Sequence, residues 1–370
     1  MLFLSFLMPA EIVDLHIESS EDVSSPDMAQ QILDGLSRPF NQKRLPTMLL
    51  YNERGLRLYD DITTEAPEYY LFAAEEEILK SKADDIVTAM HGGAGPSSDE
   101  VIVELGAGFV IQSKYRRSCA HLASSALRKT SHILLGLSRL VREAECPSPI
   151  SYYALDLEKR ELQRVLDHIE VSDVGRQMQG SVIARGMWGT YDDGLKFIQS
   201  GGLPLARTFS AKVHESLEQL RSSPSDLSPI IEASESSEGD SCSGGSNSSL
   251  PSTPDDLHPP LHIMFLGSSL GNFSRKDATE FLRSLPLRPG SGDTLLLGLD
   301  HDNDKALIEE AYNDPKGYTA KFIFNGLKVA GQTLGKDDLF DEEKWEYVNS
   351  YDVVCVLVES SSWHLIIWLG

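Results

Sequence analysis

Cysteine is scarce in this chain: Cys119, Cys146, Cys242 and Cys355 are the only 4 among 370 residues. None stands at CxxC or other metal-ligand spacing, so neither a disulfide framework nor a zinc site is suggested. Reduced thiols in a cytoplasmic setting are expected, with no metal. Positive charge is also short. The 33 Lys and Arg face 56 Asp and Glu, a net charge of −23, which repels nucleic-acid backbones and anionic membranes and argues against either as a partner. A small zwitterionic or cationic substrate is easier to accommodate. Long apolar runs are missing as well, since no segment approaches the ~20 residues of a membrane span. The apolar start from Met1 to Met8 has no basic flank or small-residue cleavage site, and Pro9 and Glu11 end it, so a secretion signal is not expected.

What is present is a globular composition, 41% hydrophobic and 24% charged, sufficient for a sizeable core. Strands are predicted at about 100–106, 150–156, 181–186, 261–267 and 293–299, with helices near 127–143, 158–168, 191–199 and 275–285 between them. Such alternation means a parallel, doubly wound sheet. Two earlier helices are read at 27–36 and 68–90, the second with Leu71, Ile78, Leu79 and Ile86 on its apolar face. From about Arg221 to Pro260 the chain is rich in Ser, Pro, Gly, Asp and Glu, a composition that cannot offset its ordering entropy; a disordered surface loop is expected.

The strand Val101-Ile102-Val103 runs into Glu104-Leu105-Gly106-Ala107-Gly108, an acidic residue and a Gly-x-Gly turn of the kind that lets a nucleotide-like cofactor approach the backbone. A dinucleotide fingerprint needs a third glycine at position 111, where Ile111 stands. This favours S-adenosylmethionine over a pyrophosphate cofactor. Asp156 ends the next strand, where a carboxylate can accept from both ribose hydroxyls or serve as a helix cap. Thr190 and Tyr191 follow the strand after that, in a turn able to flank an adenine or simply to cap a helix. Phe265-Leu266-Gly267-Ser268-Ser269-Leu270-Gly271-Asn272 is poor packing material but suits a tight loop under a ligand, and Asn272 offers both a donor and an acceptor. Tyr51 and the pair Tyr69-Tyr70 precede the cofactor segment; adjacent tyrosines point in different directions, so one of the pair at most faces a given pocket.

Taken in order, Leu45-Pro46, Leu50-Tyr51, Gly55, Glu68-Tyr69-Tyr70, Glu104 to Gly108, Arg128-Lys129-Thr130, Phe265 to Asn272 and Ala311-Tyr312-Asn313-Asp314 resemble the histidine-specific, S-adenosylmethionine-dependent methyltransferases. The resemblance covers roughly residues 27–352 and is nearest the N-terminal methyltransferase part of the bifunctional fungal enzyme of ergothioneine biosynthesis. It implies a Rossmann-like class I methyltransferase sheet over 76–302 and a smaller substrate-binding domain built from segments 27–75 and 303–353, with residues 1–26 a flexible N-terminus. It further implies Nα-methylation of L-histidine to trimethylhistidine (hercynine), S-adenosyl-L-methionine as cofactor, and a monomer. Gly106, Gly108, Lys129, Asp156, Thr190 and Tyr191 match cofactor contacts. Tyr69, Asn272 and Tyr312 match contacts to the substrate, and Tyr51 a further pocket tyrosine; Tyr69 and Tyr51 are the candidate catalytic pair. N-methylation of a prenylated tryptophan in ergot alkaloid synthesis is the alternative with the same fold and amine chemistry.

Two segments depart from the family pattern. Residues 109–125 separate the glycine turn from the Leu127-Arg128-Lys129-Thr130 helix, and from Val354 to Gly370 the family-like sequence stops. Both are read as translated introns, with a real surface insertion and a natural short tail as the alternative, and a transcript sequence decides between them; the resemblance then implies a truncated substrate segment. An inactive or poorly soluble chain is the third reading.

Overall fold

The computed structural model describes residues 11–16, 28–93, 95–97, 99–107, 125–203, 259–301, 303–349 and 351. Gly108, most of the 109–125 insertion, the Ser-rich loop up to residue 258 and the tail at 354–370 lie outside the described residues.

Among the described residues one six-stranded parallel sheet forms the centre of the fold. Its strands are β1 (Ile12–Asp14), β2 (Val101–Leu105), β3 (Ile150–Asp156), β4 (Val182–Trp188), β5 (Leu261–Phe265) and β6 (Thr294–Leu297), ordered β1-β4-β3-β2-β5-β6. Side chains alternate across each strand, and the sequence is apolar on both faces of the central ones. Ile102, Tyr152, Ala154 and Met264 therefore pack on one side with Leu79, Val87, Ile133, Leu134 and Leu137. Val101, Val103, Leu105, Tyr153, Leu155, Ile263 and Phe265 pack on the other with Leu195, Phe281 and Leu285. Helices α3 (Tyr70–Met90), α4 (Ser125–Glu143), α5 (Lys159–Val171) and α6 (Asp173–Met178) contribute to the first face. Helices α7 (Tyr191–Gln199) and α8 (Arg275–Ser284) cover the second.

The predicted Rossmann-like α/β fold is the observed one, and the predicted strands lie within a few residues of their observed bounds. Two details differ. Residues 12–14 fall in the segment read as a flexible N-terminus, yet they pair in parallel with Gly186–Trp188. Leu15 is buried beside them and Glu11 pairs with Arg185 across 3.0 Å, so β-branched residues and one ion pair hold this short edge strand. On α3 the buried stripe is Phe72, Leu79, Ala83, Val87 and Met90; Ile78 points outward and is 57% exposed.

A helical layer stands outside the sheet. It consists of α1 (Met28–Ser37), α2 (Glu53–Glu65) and α10 (Tyr318–Thr333), while α9 (Lys305–Ala311) leads into it. Ile32, Leu49 and Ala330 form its small core. Asn52 caps α2 by accepting from the Gly55 N–H at 2.8 Å and accepts the Asn325 amide at 2.8 Å, tying α2 to α10. N-terminal and C-terminal segments thus meet here although some 270 residues separate Asn52 from Asn325. No helix among the described residues is long and apolar enough to cross a membrane.

Candidate active site

In a doubly wound sheet the ligand crevice opens at the carboxyl ends of the strands, where the chain changes direction across the sheet. Here β2 lies between β3 and β5, so the turns after β2 and β5 flank that point. Gly106 follows β2 at φ +65°, and a Cβ placed on it would stand 2.3 Å from the Tyr191 hydroxyl. Only glycine fits. The Gly106 N–H donates to the Leu155 carbonyl at 3.1 Å, which fixes the turn against β3. Asp156 ends β3, its Oδ1 accepting the Glu158 N–H at 3.1 Å. Burial first, then the nearby Asp156 carboxylate and Tyr51, push the Tyr191 hydroxyl well above the usual tyrosine range. Tyr191 therefore stands between the glycine turn, Asp156 and the tyrosine-lined side of the site.

Behind the turn, Glu104 is fully enclosed and accepts from the Thr130 hydroxyl at 2.9 Å and from the Tyr152 hydroxyl. Burial raises its pKa from the ordinary 4.5 to about 7, against the opposing pull of those two donors. The folded chain thus holds this proton more tightly than the unfolded chain does. Its stabilising contribution is complete below about pH 4.5 and is lost as pH rises to about 7. At about 1.4 kcal/mol per unit this amounts to roughly 3 kcal/mol. Urea melts across that window are expected to show stability falling with pH in the wild type, and a flatter profile for Glu104→Gln.

Lys129, matched above to a cofactor contact, has its ammonium on the Glu75 carboxylate of α3 and 4.6 Å above the Phe72 ring. Glu75 also accepts the Gly267 N–H at 2.9 Å, and a Cβ on Gly298 would lie 1.9 Å from its Oε1. One carboxylate therefore joins α3, α4 and the loops after β5 and β6. Gly267 and Ser268 are consecutive left-handed residues at φ +74° and +55°, and a serine rarely adopts that conformation without support. The Ser268 hydroxyl accepts the Asp300 N–H at 3.2 Å.

The predicted substrate residues converge. Tyr69 meets Tyr312 edge-on at 5.6 Å and Tyr59 at 6.3 Å, which sets the Tyr69 hydroxyl beside those of Tyr59 and Tyr312. Tyr51 packs edge-on to Phe322 at 5.7 Å and stands beside the Asn272 side chain. Burial holds the hydroxyls of Tyr51, Tyr59 and Tyr69 protonated. Tyr70 takes the other direction, as adjacent tyrosines must, donating to Asp300 Oδ2 at 2.6 Å and accepting from Asn303 at 2.9 Å.

Thr190 stands at the N-cap of α7, its hydroxyl accepting the Asp193 N–H at 3.1 Å in a reciprocal capping box. Its side chain thereby holds the helix that presents Tyr191. Glu75, Tyr59, Phe322 and Asp300 were not singled out from the sequence. Tyr59 carried a usable signal, since it sits in the apolar register of α2 between Leu56 and Ile62.

The residues present suit a nucleoside-bearing sulfonium cofactor: a backbone cradle at Gly106 with no room for a Cβ, a carboxylate at the end of β3, and no third glycine for a pyrophosphate. Residues 28–209 and 234–361 match the family described as "histidine-specific methyltransferase, SAM-dependent". The match spans the 109–125 insertion and runs past Val353, where the family-like sequence was expected to stop. The chain is 32% identical over 347 residues to L-tryptophan methyltransferase trpM of Psilocybe serbica, covering 92% of this chain and 76% of that one. It is 30% identical over 309 residues to ergothioneine biosynthesis protein 1 of Neurospora crassa, covering 84% of this chain and 25% of that protein's length. A histidine N-alpha-methyltransferase of Mycobacterium tuberculosis is 25% identical over 330 residues, with 89% and 72% covered.

Proposed function

Since the chain belongs to the family of histidine-specific, S-adenosylmethionine-dependent methyltransferases, we propose that it methylates the α-amine of free L-histidine, through to the trimethylated product. The observation that carries this reading is the meeting of two half-sites: the Gly106–Tyr191 cradle, and the tyrosine cluster with Asn272. When bound, S-adenosylmethionine supplies a sulfonium-activated methyl group. The work left to the protein is to hold the amine in line with that carbon and to exclude water. Protonated tyrosine hydroxyls donate to a carboxylate and accept from an ammonium, while aromatic faces tolerate the positive charge that grows on nitrogen. Proton loss between transfers goes to water, so no side chain is assigned as a general base.

L-Tryptophan is the second reading. It is favoured by the aromatic walls of Tyr59, Tyr69, Tyr312 and Phe322 and by the extent of similarity to the Psilocybe protein. Incubating the purified chain with isotopically labelled S-adenosylmethionine and either amino acid separates them by mass spectrometry. Products carrying one to three methyl groups on histidine support the first reading, and methylation of tryptophan alone replaces it. Asn272→Ala is expected to raise KM for the amino acid about tenfold with a smaller change in kcat, the size of one hydrogen bond to a charged ligand.

A further inference from the structure

A second cluster of functional side chains lies at the opposite, amino-terminal end of the sheet. His91 follows α3, Glu100 precedes β2, and His262 is the second residue of β5. The side chains of His91, Glu100 and His262 are 1%, 2% and 1% exposed. His91 Nδ1 lies 2.7 Å from the Val87 carbonyl, which can only accept, so that nitrogen carries the proton; Nε2 faces Glu100 Oε2 at 3.0 Å. His262 Nδ1 lies 2.7 Å from the Thr294 hydroxyl, while its Nε2 points at Glu100 Oε1 from 3.8 Å. That last nitrogen is buried and has no hydrogen-bond partner among the described residues. An unpaired polar atom in a site this dry is costly, and native folds seldom leave one unexplained.

We propose that His91 Nε2, the Glu100 carboxylate and His262 Nε2 bind a divalent transition-metal ion, zinc by the character of the donors. The three donor atoms all lie within 4.8 Å of one another. Tetrahedral zinc with bonds near 2.0–2.1 Å places neighbouring donors about 3.3 Å apart; Glu100 turns one oxygen to each imidazole near that spacing, Oε2 at 3.0 Å from His91 Nε2 and Oε1 at 3.8 Å from His262 Nε2. Each imidazole also has the outer partner that metal-ligating histidines need, a carbonyl for His91 and a hydroxyl for His262. The Glu100 Oε1 atom accepts the Ser97 N–H at 3.1 Å, which orients the carboxylate. Two imidazoles and one carboxylate, with a water as fourth ligand, make a common zinc donor set.

Three protein ligands and a water are the donor set of an open zinc site, but side chains 1–2% exposed leave no path for a substrate, so the role assigned to the ion is to tie His91, Glu100 and His262 together. Its position gives it a consequence at the other end of the sheet: α3 runs from Tyr70 to Met90, about 30 Å at 1.5 Å per residue. An ion at His91 anchors the far end of the helix whose near end carries Tyr70 and Glu75. Cysteine spacing gives no hint of such a site, because its ligands come from two histidines and a glutamate on separate elements.

The test uses the full chain without a histidine tag. Near-stoichiometric zinc in the purified protein is expected, and exchange for Co2+ should give the visible absorption of a tetrahedral N/O site. Chelation should lower the melting temperature, and added Zn2+ should restore it. His262→Gln should abolish the cobalt spectrum and the zinc-dependent shift. Thr294→Val, which keeps a β-branched strand residue, should weaken Zn2+ about 10–100-fold. Absence of both bound metal and a cobalt spectrum in the wild type overturns the proposal, as does zinc binding unchanged in His262→Gln. If His262→Gln does not fold, the wild-type cobalt spectrum and the Thr294→Val affinity decide. Methyl transfer is not the readout, so failure here leaves the methyltransferase reading intact.

Discussion

Glu75→Ala is expected to cost about 3–5 kcal/mol of unfolding free energy, the scale for removing one partner of a buried ion pair. The side chains of Lys129 and Glu75 are only 10% and 16% exposed, so the abandoned ammonium finds little water to replace its partner. The Gly267 N–H loses its acceptor at the same time. Lys129→Met tests the pair from the other side, and the double variant Glu75→Ala/Lys129→Met should recover most of the loss, since a buried pair exchanged for apolar groups is often close to neutral. The cycle also decides what Lys129 does. If Lys129 serves chiefly as a cofactor contact, Lys129→Met will weaken cofactor binding and leave urea stability near wild type. If it serves Glu75, stability falls and cofactor affinity follows through the displaced Gly267–Ser268 loop. Gly298→Ala should mimic the Glu75 variant, because its Cβ would lie 1.9 Å from the carboxylate.

This hub was hidden in the sequence for a physical reason. Glu75-Glu76-Glu77 reads as a solvated helix face, and nothing local distinguishes Glu75, which joins the hub, from Glu76, which reaches Arg128 at 3.8 Å. The central strands were legible because burial on both faces of a parallel sheet demands mostly apolar runs, broken in Val101–Leu105 only by Glu104 and in Leu261–Phe265 only by His262. Gly106 and Asn272 were legible because a ligand turn after such a strand needs small or amide residues where packing would choose otherwise. The tyrosine chamber was half legible. Tyr51, Tyr69 and Tyr312 emerged through the family resemblance, but Tyr59 and Phe322 complete it from two helices whose contact is set only by tertiary packing. Edge strand β1 escaped because three residues are too few for a periodicity to register, and its stability comes from β4 and the Glu11–Arg185 pair.

Gly106→Ala is expected to weaken S-adenosylmethionine binding about 100-fold, and a second substitution separates the two causes. An alanine at φ +65° carries left-handed strain of about 1–2 kcal/mol. Its Cβ would also sit 2.3 Å from the Tyr191 hydroxyl, far inside contact distance. Tyr191→Phe removes that oxygen and leaves Cζ, 3.3 Å away, as the nearest of the contacts found for such a Cβ. The hydroxyl clash disappears, while the backbone strain stays. Titration calorimetry on the two single variants and the double variant should therefore show Tyr191→Phe within a few-fold of wild type, and Gly106→Ala/Tyr191→Phe recovering about tenfold over Gly106→Ala. An effect of Gly106→Ala that Tyr191→Phe does not relieve would assign the whole loss to backbone conformation. Unchanged affinity in Gly106→Ala would remove this turn from the cofactor site, because a displaced Tyr191 and a strained turn could not both leave a ligand held there undisturbed.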